Sequence, residues 1–423
     1  MLAPLSPLDA YRDDLNRLHR RSEFGNADTV WLLLAHCLGR LSKVGDAVRD
    51  QLAAQSANAL RDLADSADSL DESDSAHVSD LRMLITGLSA IETRAGADAL
   101  SRACRGFAAR MADAGALAVA FSVIGCARNV AMDASDRERG LLAADQARIA
   151  RQLGELDSAE ELYRTASAIG ERSSDSELLA RASLGRGVIS RVRGNYPMAR
   201  TLFQHGLNLA VNAKSRELEF FAHQGLTIVT CVTGDCDASL SHGWSAFRLA
   251  IGDVTREAET LTNISQLCLE YGYPSAAIRG FMASLARSEV LRVRLAALGG
   301  AALAAGRMSD RSLLQRITRE ITQTVERSAL SYENAQALYH LSAAHVAIED
   351  EVNAERYRQE VQKIAKERGY FELMHQAERD EVARAATLAA RRDLDVTSRE
   401  VVSSLELFEP EAEELAFATT HSG

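Results

Sequence analysis

The sequence predicts an all-α fold, a solenoid of antiparallel helix pairs preceded by a small helical bundle. Three observations predict it. Only 5 prolines occur in 423 residues, so few positions forbid a helix interior. Ala, Leu, Arg, Glu and Asp dominate, aromatic residues make up 5%, and no long run of alternating β-branched residues occurs. A glycine-anchored pattern also recurs along the middle of the chain, and self-similarity at a fixed spacing marks stacked supersecondary units. A single compact core stops growing at about 250–300 residues. A chain of 423 residues therefore calls for several domains or for an extended, repetitive one.

The pattern is a glycine, a small residue five later, an aromatic or apolar residue nine later and a small residue twelve later. It reads Gly154, Ala159, Tyr163, Ala166, then Gly194, Ala199, Phe203, Gly206, then Gly272, Ala277, Phe281, Ser284. Weaker copies run Gly115, Ala120, Ile124, Ala127 and Gly234, Ser239, Gly243, Ala246. The five glycines are 39, 40, 40 and 38 residues apart. Gly permits the backbone that ends one helix before the next begins. The small residues let the two helices approach, and the aromatic fills the space between them. One pair cannot bury its apolar face alone, so neighbouring pairs stack.

The segments 154–166 (GELDSAEELYRTA) and 194–206 (GNYPMARTLFQHG) resemble the second half of the tetratricopeptide (TPR) repeat. The first half departs from it. The position usually filled by Trp holds Ala143, Ser183, His223 and Leu261, and the small position holds Ala147, Gly187, Thr227 and Ser265. The spacing is stretched to about 40 residues against the usual ~34. Stretched versions of this kind occur in bacterial regulators and adaptor proteins. The resemblance covers roughly residues 100–390, with Gly306 and the Ala354 region read as degenerate later copies. It implies a right-handed superhelical solenoid whose first helices line a concave, partner-binding groove.

Three segments follow from this reading. Residues 1–95 are helical but off the spacing and are expected to form an N-terminal bundle or cap. Residues 96–392 form the repeat region. Residues 393–423 form a short helix, opened by a Thr397-to-Glu400 capping pattern, and an acidic tail.

The net charge of −11 argues against a nucleic-acid partner, which needs clustered positive charge. The first twelve residues lack a basic stretch before an apolar core, and no run approaches 18 apolar residues. A cytoplasmic protein with no signal peptide and no membrane contact is expected. Cys37, Cys104, Cys126, Cys231, Cys236 and Cys268 are scattered, which is not a disulfide framework, and they are expected to be reduced. Cys231 and Cys236, with His223 and His242 nearby, lack the second ligand pair a zinc site needs. His340 and His345 are five apart, off a common helix face. Neither a phosphate loop, a zinc-protease helix nor a nucleophile elbow occurs, so no cofactor or metal is expected and the chain is not expected to be an enzyme.

The groove is the remaining candidate. Alignment on the glycines puts Arg148, Arg151, Arg181, Arg191, Gln224, Asn263 and Gln266 on or near its lining. Four arginines suit carboxylate or phosphate groups, or pair with local Asp and Glu; the partner expected is a protein or peptide, with an acidic one as an option. The paired-asparagine clamp of chaperone-binding relatives is not expected, because its positions hold Asp145, Gly185, Gly225 and Asn263. The acidic segment Glu406–Glu414, with Leu407 and Phe408 as anchors, is a candidate occupant of the chain's own groove. The function expected is an adaptor or regulatory scaffold. The alternatives are a structural subunit of a larger assembly and, less favoured, an enzyme or enzyme subunit on a helical scaffold. Neither partner identity nor oligomeric state is readable.

Overall fold

The computed structural model describes residues 89–376, apart from 92, 114 and 131. The expected N-terminal bundle, except its last residues, the acidic tail, its suggested place in the groove and Cys37 lie outside these residues. Among the described residues there is no strand. Fourteen helices follow one another there. They are α1 (Arg94–Asp113), α2 (Leu117–Val130), α3 (Asp136–Gln152), α4 (Leu156–Ser173), α5 (Ser176–Val192), α6 (Tyr196–Asn212) and α7 (Arg216–Val232). Next come α8 (Cys236–Ala250), α9 (Val254–Glu270), α10 (Pro274–Arg287), α11 (Leu291–Arg307), α12 (Arg311–Val325), α13 (Ser331–Ala347) and α14 (Glu351–Arg368). A last helical segment covers 371–376.

The chain divides after Ala182 into two compact units. In the first, α1 packs on α2 and α3 on α4. In the second, α7 pairs with α8, α9 with α10, α11 with α12 and α13 with α14, while α7, α9, α11 and α13 touch in sequence. Each unit is thus a stack of helix pairs, the all-α repeat architecture expected.

Local signals set the helix boundaries. Ser135, Asn195, Ser215, Asp235, Asp253, Asp310 and Asp350 each accept a hydrogen bond from the backbone N–H three residues on. Caps of this type contribute about 0.5–2 kcal/mol each. Gly115, Gly154, Gly194, Gly234 and Gly272 all lie in inter-helix turns with φ between 74° and 84°. At Gly194 the N–H reaches the Arg191 carbonyl at 2.7 Å and the next N–H reaches the Ser190 carbonyl at 2.8 Å.

The later turns differ from expectation. Gly306 is not a turn residue. It sits in the last turn of α11, where an added Cβ would lie 2.6 Å from the Ala344 carbonyl oxygen. The turn is made by Ser309 at φ 58°, and the next by Glu349 at φ 62°, with the same bonding pattern. The turn thus tolerates a residue with a Cβ, at a strain of about 1–2 kcal/mol. Ala354 is buried five residues after Glu349, as Ala159 is after Gly154.

The aromatic position of the pattern is core. Tyr163, Phe203 and Phe281 are 4%, 1% and 0% exposed. Phe203 sits between Gly187 of α5 and Gly225 of α7, where added Cβ atoms would stand 2.8 and 2.5 Å from its Cε1. Gly300 of α11 plays the same part for Phe281, at 2.1 Å from Cζ. Glycine here provides room for a ring, a use of the residue separate from its use in turns.

Candidate functional site

In the second unit, successive first helices enclose a cavity of about 450 Å³, within the range of small-ligand sites. The lining includes Thr227 and Ile228 of α7, Asn263, Gln266 and Glu270 of α9, Arg307 of α11, and Gln336, Tyr339 and His340 of α13. Gln362 of α14 and Glu372 and Gln376 of the last segment complete it. The wall is rich in neutral amide side chains, each carrying both a donor and an acceptor.

Buried bonds fix the middle of this wall. Gln224 is 7% exposed and donates from Nε2 to the Thr260 hydroxyl at 3.0 Å. Its carbonyl accepts from Asn263 Nδ2. Gln224 therefore stands behind Asn263 and orients it. Gln266 donates to Glu270 at 2.9 Å.

One end of the cavity is charged. Arg191, 8% exposed on α5, donates from Nη1 to the Tyr332 hydroxyl at 3.0 Å and to Glu372 Oε2. Tyr332 also donates to Glu372 Oε2. The guanidinium carbon lies 5.2 Å from the Tyr332 ring centre, and Tyr332 stacks edge-on with the fully buried Tyr370. Burial disfavours the Arg191 charge, but Glu372 and the Tyr332 oxygen outweigh it and hold its pKa above the ordinary value. Burial pushes the Tyr332 phenol well up. Glu372 itself is 0% exposed, and its Oε1 has no partner among the described residues. His340, 6% exposed, also has an Nδ1 with no partner among the described residues. Burial, with Arg307 adding to it, lowers its pKa to about 4, so the imidazole is neutral at pH 7.

The residues singled out from sequence separate into two groups. Arg191, Asn263 and Gln266 line the cavity, and Gln224 supports it from behind. Arg148, Arg151 and Arg181 belong to the first unit. Arg181 bonds Glu177 of its own helix at 3.1 Å. Burial works against the Glu177 charge, but bonds from Arg137 and Arg181 hold its pKa below the ordinary value. Arg148 and Arg151 lie near Tyr163, where burial raises the phenol's pKa and the two arginines oppose it. Of the clamp positions, Asp145 bonds Arg105 at 2.6 Å, Gly225 makes room for Phe203, and only Asn263 reaches the cavity.

Sequence reasoning missed Tyr332 and Glu372. They are 141 and 181 residues from Arg191, and no motif joins them. Cys104 and Cys268 are buried and Cys126, Cys231 and Cys236 half-buried, none of them in a disulfide. Among the described residues no cluster of three or more His, Cys, Asp or Glu groups is arranged to hold a metal. No helix described is long and apolar enough to cross a membrane.

No protein-family model matches the chain, and no curated protein matches it by sequence. Solved structures of similar fold exist. One is a Rap protein complexed with Competence and Sporulation Factor, with a TM-score of 0.56 and 10% identity over 81% of this chain and 99% of that one. At that identity the likeness is one of fold, and this chain shares the helical-repeat fold of that protein.

Proposed function

We propose that the chain is a regulatory or adaptor protein that holds a short peptide segment in the cavity of its second unit. The observation that carries this reading is the lining, in which the amide side chains of Asn263 and Gln266 on α9, Gln336 on α13, Gln362 on α14 and Gln376 of the last segment face a space of about 450 Å³. A peptide presents a carbonyl and an N–H at every residue, and side chains that both donate and accept suit it. That the Rap protein of similar fold is complexed with Competence and Sporulation Factor supports the reading. The proposal includes a stretched TPR-like repeat. First helices starting at Asp136, Ser176, Arg216, Val254, Leu291 and Ser331 support a spacing near 40 residues. It also takes residues 1–95 as a separate helical bundle, 393–423 as a tail, and the protein as cytoplasmic and without catalytic activity. Of the four arginines singled out from sequence only Arg191 lines this cavity, and Glu372 pairs with it, so those four give an acidic partner no support here.

The test passes a randomised hexapeptide pool over the immobilised full-length chain and identifies what is retained by mass spectrometry. Ala343→Trp, on the cavity lining, should abolish enrichment. Asn263→Ala should weaken the enriched peptides about tenfold, the scale of one lost hydrogen bond. A pool that emerges unenriched, or enrichment that survives Ala343→Trp, contradicts the proposal.

A further inference from the structure

The charged end of the cavity is incompletely bonded. Both contacts to Glu372, from Arg191 and from Tyr332, fall on Oε2, and Oε1 is buried with no partner among the described residues. Both hydrogen bonds of Arg191 leave from Nη1, so among the described residues its Nε and Nη2 have no acceptor. A buried acceptor left unmade costs more than a made bond contributes, so such an atom on a cavity-lining residue has a reason to take a partner from a ligand, once a turn of the Glu372 carboxylate brings it to the cavity surface. Arg191 and Glu372 are both lining residues, and together they carry no net charge. A cation entering here would meet Arg191, and an anion would meet Glu372 Oε1. A neutral group that offers one acceptor and one donor meets neither penalty.

We infer that the Arg191–Glu372 pair is a subsite for one uncharged amide unit of the ligand. The amide N–H donates to Glu372 Oε1, and its carbonyl accepts from the unused edge of Arg191. Tyr332 positions the pair, because it bonds Oε2 and leaves Oε1 to the ligand. The inference rests on the peptide reading for the source of the amide, which is either a backbone unit or a carboxamide side chain. The chemistry of the subsite is the same for both.

The test uses two small probes on the full chain, followed by ligand-observed saturation-transfer NMR. N-methylacetamide has the N–H, and N,N-dimethylacetamide lacks it. Wild type should prefer N-methylacetamide about tenfold, since the tertiary amide leaves Oε1 unpaired. Methylammonium and acetate should bind more weakly than N-methylacetamide. Glu372→Gln keeps a carbonyl for Arg191 but can turn an N–H₂ toward the cavity, so it should erase the preference. Tyr332→Phe removes the bond to Oε2 and the one accepted from Arg191 Nη1 but touches neither Oε1 nor the unused edge of Arg191, so it should keep the preference, which a purely structural role for Glu372 does not predict. Thermal melts show whether each variant is folded. Equal binding of the two amides, no binding of either, or tighter binding of an ion overturns the inference. Acetamide against N-methylacetamide separates the two sources, the primary amide standing for a carboxamide side chain. If hexapeptides are retained but the amides are not distinguished, the peptide reading stands and this subsite falls. If the amides are distinguished and no peptide is retained, the reverse holds.

Discussion

The first unit and the second put their arginines to different use, even along α5, whose Arg181 belongs to the first and Arg191 to the second. In the first, Arg181 bonds Glu177, and Arg105 bonds both Glu138 and Asp145, in pairs that are partly open to water. In the second, Arg191 is buried against Glu372 and Tyr332 in the lining of a cavity, and Glu372 Oε1 has no partner among the described residues. The difference teaches that a charged residue on a groove-lining helix identifies a site only when its local partners are known. A carboxylate one helical turn away turns a candidate ligand into a surface pair.

The largest expected contrast comes from removing these arginines. Arg191→Ala leaves Glu372 charged and buried, and should cost about 3–5 kcal/mol in urea unfolding. Arg181→Ala breaks a half-exposed pair within one helix and should cost about 0.3–0.5 kcal/mol. Equal losses would mean that Arg191 is hydrated and the cavity end is open to solvent.

Packing gives a smaller contrast. Gly300→Ala in the second unit drives a methyl into the Phe281 ring, a rigid neighbour, and should cost about 1–3 kcal/mol. Gly140→Ala in the first unit meets the Leu178 methyl groups, which can rotate away, and should cost less than about 1 kcal/mol. The unfolding midpoints of the two variants decide the order.

Among the described residues, the acid response of histidines should also belong to the second unit, because no histidine occurs between residues 89 and 182. Burial lowers His340 and His223 from 6.5 to about 4. The unfolded chain therefore binds more protons in that window. The stability each neutral imidazole contributes is complete above pH 6.5 and is lost as pH falls toward 4. Wild type should lose unfolding free energy between pH 7.5 and 4.5, and a His223→Gln/His340→Gln variant should lose less. An equal loss would place both rings in water.

What was legible in the sequence follows the same division. The turns at Gly154, Gly194, Gly234 and Gly272 were legible because a positive φ selects glycine. The turns at Ser309 and Glu349 were not, because there the strain is borne by an ordinary residue, and the nearest glycine, Gly306, serves helix packing. In the site, Asn263 and Gln266 were legible because register alone puts them on the inner face. Glu372 was not. Its place depends on the last segment reaching α5, a long-range contact that no local spacing encodes.

The central claim is that ligand binding belongs to the second unit's cavity. Hydrogen–deuterium exchange with mass spectrometry, on the full chain with and without a retained hexapeptide, tests it most directly. Protection should fall on α7, α9, α13 and residues 370–376, with none on α3. Protection centred on Arg148 and Arg151, or no protection in the second unit, would contradict it.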